Sequence, residues 1–179
     1  MGTAATINHS FDLSFGGESS DQVFIGRQPI VDAQQKIIGY ELLFRSNSTD
    51  NAAHFEDDFS AGAQVLINTL SNMGTEWLMG DKLAFLNVTE AMLTSEFMEL
   101  LPAKRIVLEI KGEITPTPAL IERLQGLKEL GFQLALHHEQ INSDNEPLIQ
   151  LASYVKIDLL KIPLEQLGLV SANLKQLSL

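Results

Sequence analysis

Residues 105–136 read RIVLEIKGEITPTPALIERLQGLKELGFQLAL, and this stretch decides the fold class. Residues 105–110 are a short apolar run with the make-up of a buried strand. Thr117 followed by Pro118 marks a helix start, because a proline in the first turn lacks only an N–H that the helix leaves unbonded there. Leu120, Leu124 and Leu127 then form a stripe that ends before Gly131, and residues 132–136 are a second apolar strand. Strand, helix, strand is the repeating unit of an α/β protein with a parallel sheet.

The same alternation extends in both directions. Toward the N-terminus, residues 83–88 are strand-like, and Thr89 opens a helix that holds Met92, Leu93, Phe97 and Leu100 until Pro102 helps to end it. Ser60 can cap a helix with Ala63, Leu66, Ile67 and Leu70 at helical spacing, with Gly74 at its C-terminal cap. Two further apolar runs, residues 23–31 and 37–44, flank a polar turn at 32–36 and predict a strand, turn, strand. Residues 1–22, rich in Gly, Ser and Asp, read as a flexible tail, which leaves 23–179 as the domain. Toward the C-terminus, a short helix over 146–152, a strand over 154–160 and a last helix from Pro163 complete a count of about six strands.

Composition narrows the function. Twelve Lys and Arg face 23 Asp and Glu, for a net charge of −11, so neither nucleic acid nor an anionic membrane surface is an expected partner. The absence of cysteine removes disulfides, thiolate zinc sites, iron–sulfur clusters and a thiol nucleophile. No apolar run approaches the roughly 18 residues of a membrane span, and a cytoplasmic protein is expected. No Gly-x-Ser-x-Gly elbow, Walker-type phosphate loop or Gly-x-Gly-x-x-Gly follows a strand.

The chemistry lies in isolated polar residues at or near the ends of apolar strands: Glu41, Asn87, Glu109, His137 with His138, and Lys156 with Asp158. Burying such groups bare is expensive. On parallel strands they converge at the end of the sheet where α/β folds place ligands. Two carboxylates, an amide and imidazoles resemble a divalent-metal shell, with Lys156 available to a phosphate or a metal-bound water. Strand alternation lets only one of the two histidines face such a site. For any single residue, an internal ion pair such as Glu109 with Lys156 is the simpler account; recurrence on five strands favours a site.

In order along the chain, these residues resemble the EAL domain of bacterial cyclic di-GMP signalling, a barrel whose active members are metal-dependent phosphodiesterases. Arg27-Gln28-Pro29-Ile30-Val31-Asp32 resembles the opening Gln-Pro-Ile strand. Gly39-Tyr40-Glu41-Leu42-Leu43-Phe44-Arg45 resembles the Glu-Ala-Leu-Leu-Arg signature, with Leu42 in place of Ala. Leu86-Asn87-Val88-Thr89, Leu108-Glu109-Ile110 and Tyr154-Val155-Lys156-Ile157-Asp158 resemble the strands bearing the metal-binding asparagine, the next metal-binding glutamate and the lysine. The resemblance implies an α/β fold, a TIM-type (β/α) barrel of EAL type. It implies Glu41, Asn87 and Glu109 as metal-site positions, joined by His137 if any metal binds, and Gln28 and Arg45 as cyclic di-GMP contacts. The wording of the first two motifs is most similar to the branch in which a divergent EAL barrel precedes an HDOD domain.

Two departures set the expected function. Active members carry Asp-Asp-Phe-Gly where this chain has His137-His138-Glu139-Gln140, and neutral imidazoles cannot supply the same negative charge to Mg or Mn. The chain also ends at Leu179, 23 residues after Lys156, whereas a complete eight-stranded barrel takes about 250 residues. A partial barrel, and a fragment of a longer protein, is therefore expected. The expected function is a catalytically inactive EAL-like signalling domain that acts through a protein partner or oligomer, with residual cyclic di-GMP binding as an addition. Glu41, Asn87, Glu109 and Lys156 are then remnants of the metal site, and no cofactor is required. The alternatives are a Mg- or Mn-dependent phosphodiesterase with His137 or His138 in the site, and a nonhydrolysing cyclic di-GMP receptor.

Overall fold

The computed structural model describes residues 24–45, 80–110 and 114–175. The expected tail over 1–22 and the expected helix between Ser60 and Gly74 lie outside the described residues. The strands are β1 (Phe24–Val31), β2 (Ile37–Arg45), β3 (Leu83–Val88), β4 (Ile106–Ile110), β5 (Gln133–His137) and β6 (Tyr154–Lys156). Between and after them stand α1 (Glu90–Thr94), α2 (Pro118–Glu129), α3 (Glu146–Ile149) and α4 (Leu164–Lys175). The strands are ordered in one sheet as they occur in sequence. Sequential order of parallel strands with helices between them is the topology of a TIM-type (β/α) barrel, which this sheet matches in part, with β1 added antiparallel at its edge. The chain divides into two compact units, Met1–Leu86 and Asn87–Leu179.

In the first unit β1 and β2 form the expected antiparallel hairpin, with Gln28 opposite Glu41 and Pro29 opposite Tyr40. Asp32 fixes the turn: its Oδ1 accepts the N–H groups of Gln34 and Lys36, each at 2.9 Å. Gln35 takes a left-handed φ of 62° within it. The Arg27 guanidinium lies 5.0 Å from the centre of the Tyr40 ring, a cation–π contact across the hairpin. β2 then pairs in parallel with β3, Gly39 opposite Leu83 and Glu41 opposite Phe85. A Cβ on Gly39 would lie 2.6 Å from the Phe85 ring and 2.7 Å from the Leu83 carbonyl oxygen. Glycine is therefore what lets the buried Phe85 ring approach β2 this closely.

In the second unit every residue of β4 is buried, and β4, β5 and β6 pair in parallel. The sequence reading of α2 holds closely. Thr117 Oγ1 accepts the Leu120 N–H, Pro118 occupies the first turn, and Leu120, Leu124 and Leu127 are buried. Gly131 has φ 106°, and the Gly131 and Phe132 N–H groups bond back to the Lys128 and Leu127 carbonyls. This is a Schellman closure, whose left-handed residue strongly favours glycine. From α2, Arg123 donates to the carbonyls of Leu93 at 2.7 Å and Ser95 at 3.2 Å, tying down the end of α1.

Three elements differ from the sequence reading, the first being the helix expected over 146–152, which ends as α3 at Ile149. The helix opened by Thr89 stops at Thr94; Ser95 is extended, and Glu96–Leu100 continues as a 3₁₀ turn. The hydroxyls of Thr94 and Ser95 bond back to the carbonyls of Ala91 and Met92, a side-chain competition that unwinds a short helix. The break rephases the apolar stripe, so Leu93, Met98 and Leu101 are buried while Leu100 is exposed. The strand expected over 154–160 ends at Lys156 because Asp158 turns the chain, its Oδ1 accepting the Leu160 N–H at 3.0 Å. Leu159 and Leu160 consequently face solvent.

The Gly39 contact sets a test of the packing. Gly39→Ala overpacks the Phe85 ring and should lower stability by about 1–3 kcal/mol, read as a shift in the midpoint of urea unfolding. An unshifted midpoint would contradict the close approach.

Candidate functional site

Register determines which side chains meet. Glu109 pairs with Ala135, Ala135 with Tyr154, and His137 with Lys156. Because side chains alternate with period two, Glu109, His137, Tyr154 and Lys156 share one face at or near the C-terminal ends of β4, β5 and β6. The Glu109 side chain is fully buried. Lys156 Nζ donates to both of its oxygens, at 2.9 Å to Oε1 and 2.8 Å to Oε2. His137 Nε2 lies 2.6 Å from Oε1. The internal ion pair anticipated for Glu109 and Lys156 is thus present, and Lys156 is drawn to the carboxylate rather than held clear for a phosphate. Burial pushes the nearby Tyr154 phenol above its ordinary pKa.

The imidazole is held from its other side by Gln140. The Gln140 side-chain oxygen accepts the His137 peptide N–H at 2.9 Å, and the His137 side chain in turn accepts the Gln140 N–H. This is a capping box with histidine in the place of the usual Ser or Thr, at the start of the 3₁₀ turn His138–Gln140. Since Nε2 faces the carboxylate, the accepting nitrogen is Nδ1, and the ring is the tautomer that carries its proton on Nε2. Gln140 is buried, and its carbonyl accepts the Asn145 amide at 2.9 Å. The signal for Gln140 was in the sequence, as a glutamine three residues after the strand's last residue, but histidine is not a customary partner in that pattern. His138 lies past the end of β5, in the 3₁₀ turn, with its Nδ1 3.3 Å from the half-exposed Glu139 carboxylate.

The remaining predicted residues fall as follows. Asn87 opens the second unit as the half-buried fifth residue of β3. Glu41 is buried in the first unit, Gln28 is exposed on β1, and Arg45 ends β2. Asp158 serves its turn.

Within the second unit the donor set does not fit a hard divalent cation. Such ions take several oxygen ligands; here a single buried carboxylate is bound by an ammonium, and neither nitrogen of the bonded imidazole offers a lone pair. Unit charges 4 Å apart at an effective dielectric of about 20 interact by about 4 kcal/mol, so a dication that close to Lys156 is opposed by about twice that. Among the described residues no group of three or more His, Asp or Glu side chains is placed to hold a metal ion.

No protein-family model matches the chain. Over 145 residues, 78% of its length, it is 39% identical to the uncharacterized protein YuxH of Bacillus subtilis strain 168. Over 143 residues, 80% of its length, it is 29% identical to the cyclic di-GMP phosphodiesterase CdgJ of Vibrio cholerae. These matches cover 35% and 33% of the two relatives, so the chain spans about a third of the length of the curated relatives it matches. Among solved structures, PaMucR phosphodiesterase in its c-di-GMP complex is similar at TM-score 0.66 and 17% identity, over 87% of this chain and 80% of that one. An EAL domain protein from Listeria monocytogenes EGD-e matches at TM-score 0.57 and 19% identity, over 87% and 73%. The manganese and cyclic di-GMP complex of Klebsiella pneumoniae BlrP1 matches at TM-score 0.64 and 15% identity, over 96% and 50%. At these identities the structural likeness speaks to the fold.

The buried ion pair predicts an asymmetry in stability. Lys156→Met leaves the Glu109 carboxylate without its ammonium and should cost about 3–5 kcal/mol, whereas replacing both charges in Glu109→Leu/Lys156→Met should recover most of that loss. Urea unfolding of the two variants measures it, and a double variant no more stable than the single one would count against the pair.

Proposed function

On the premise that most of the chain is homologous to EAL-domain cyclic di-GMP phosphodiesterases, we propose that it is a catalytically inactive, cytoplasmic EAL-like signalling domain that works through protein contacts. The observation that carries this reading is the Glu109 carboxylate, bound by Lys156 and His137 in a chain that has His137-His138-Glu139-Gln140 where active members carry two aspartates. Hydrolysis of a phosphodiester needs an activated water and a cation to stabilise the charge that develops on the phosphoryl oxygens. In this arrangement Nδ1 of His137 is occupied by the Gln140 N–H and so accepts no proton from water. Glu41, Asn87, Glu109 and Lys156 are then remnants of a metal site, retained for packing and for the ion pair.

The charge supports a protein partner or oligomer over a strong nucleotide pocket. A chain of net charge −11 attracts an anionic dinucleotide poorly unless basic groups are concentrated locally. The similarity to chains about three times as long supports a role as one part of a larger signalling protein, and the motif wording supports the branch in which an HDOD domain follows.

Purified protein supplied with Mg or Mn is expected to leave cyclic di-GMP intact relative to a buffer control. Turnover that Glu41→Ala abolishes would overturn the proposal.

A nonhydrolysing receptor is the second reading, favoured by the exposure of Gln28 on β1. On it, Gln28 and Arg45 contact cyclic di-GMP. Calorimetric titration should then give saturable heat that Gln28→Ala weakens; no heat at high nucleotide concentration rejects this reading.

A further inference from the structure

The EAL homology brings with it the expectation of a divalent cation, and the second unit presents a site whose groups are already committed to one another. We infer that Gln140 is the positioning residue that closes this site to divalent metal. It holds the His137 peptide N–H through its side chain and His137 Nδ1 through its own N–H, so the ring can meet Glu109 only as an Nε2–H donor. Glu109 therefore keeps a resident ammonium and a resident N–H where a metal would need free oxygen lone pairs. The clasp is itself anchored: Asn145 donates to the Gln140 carbonyl, and the Asn142 side chain accepts the N–H groups of Asp144 and Asn145. A loop of local hydrogen bonds thus sets the ring state at the end of β5. The inference rests on the noncatalytic reading above and deepens it, by naming what excludes the metal.

The test uses the full chain and Mn²⁺ alone. Long-range ¹H–¹⁵N spectra of the wild-type histidines should show the His137 ring protonated on Nε2 and accepting on Nδ1. Titration followed by the electron paramagnetic resonance of free Mn²⁺ should show no stoichiometric uptake. Gln140→Pro, which removes both the N–H that Nδ1 accepts and the side-chain oxygen that accepts the His137 peptide N–H, should lose the single-tautomer signature while a folded amide spectrum is retained. His137→Asp, which adds a second carboxylate beside Glu109, should gain Mn²⁺ affinity by about tenfold or more, the scale on which ligand-sphere changes act. If either variant fails to fold, the wild-type tautomer and the wild-type titration decide the matter. One equivalent of Mn²⁺ bound by the wild type, or a His137 ring protonated on Nδ1, overturns the inference. The outcomes separate from those of the functional proposal: an inactive protein that binds one equivalent of Mn²⁺ defeats only the metal-exclusion argument, and turnover without bound Mn²⁺ defeats only the noncatalytic reading.

Discussion

A carboxylate buried in a wholly apolar strand governs the second unit. Ile106, Val107, Leu108 and Ile110 surround Glu109 in sequence, and all five residues of β4 are removed from solvent. Leaving that charge bare would cost several kcal/mol even after relaxation. Counter-groups must therefore arrive from elsewhere in the chain, and the parallel register of β4, β5 and β6 delivers them. A slip of one residue in either pairing would turn His137 or Lys156 to the opposite face. The register of three strands and the neutralisation of one carboxylate are the same constraint.

How much of this was legible in the sequence depended on how local the cause was. Helix α2 could be read because its signals are all contiguous: Thr117, Pro118, three leucines at helical spacing, and Gly131. The ion pair between Glu109 and Lys156 could be anticipated because two opposite charges stood on short apolar strands, β4 and β6, that flank the same strand β5. The break at Ser95 was hidden because Met92, Leu93, Phe97 and Leu100 fit a continuous helix well enough, and the competing hydroxyl bonds of Thr94 and Ser95 outweigh a stripe of that length. The early end of β6 was hidden for a similar reason: Asp158 in an apolar run looked like a site residue, whereas its side chain terminates the strand.

The site was legible as a list and less so as an arrangement. The polar residues at strand ends were visible, and so was their order along the chain. How His137 is held depended on Gln140, whose side chain and N–H engage that residue on the side away from the carboxylate. A histidine read in isolation is an available ligand. The same histidine with both ring nitrogens engaged is a piece of structure, and homology to EAL-domain phosphodiesterases says nothing about which of the two it is.

The spacing of the Glu109 partners along the chain has a kinetic meaning. His137 is 28 residues away and Lys156 is 47, so the carboxylate cannot be neutralised until α2, β5, α3 and β6 have been brought into line. Long-range closures of this kind lose chain entropy before their contacts repay it. A partly collapsed chain with β4 buried and β6 still loose carries an uncompensated charge in its core, which disfavours that intermediate and draws the three strands toward forming together. A buried carboxylate whose partners lie far along the chain can in this way act as a proofreading device for folding.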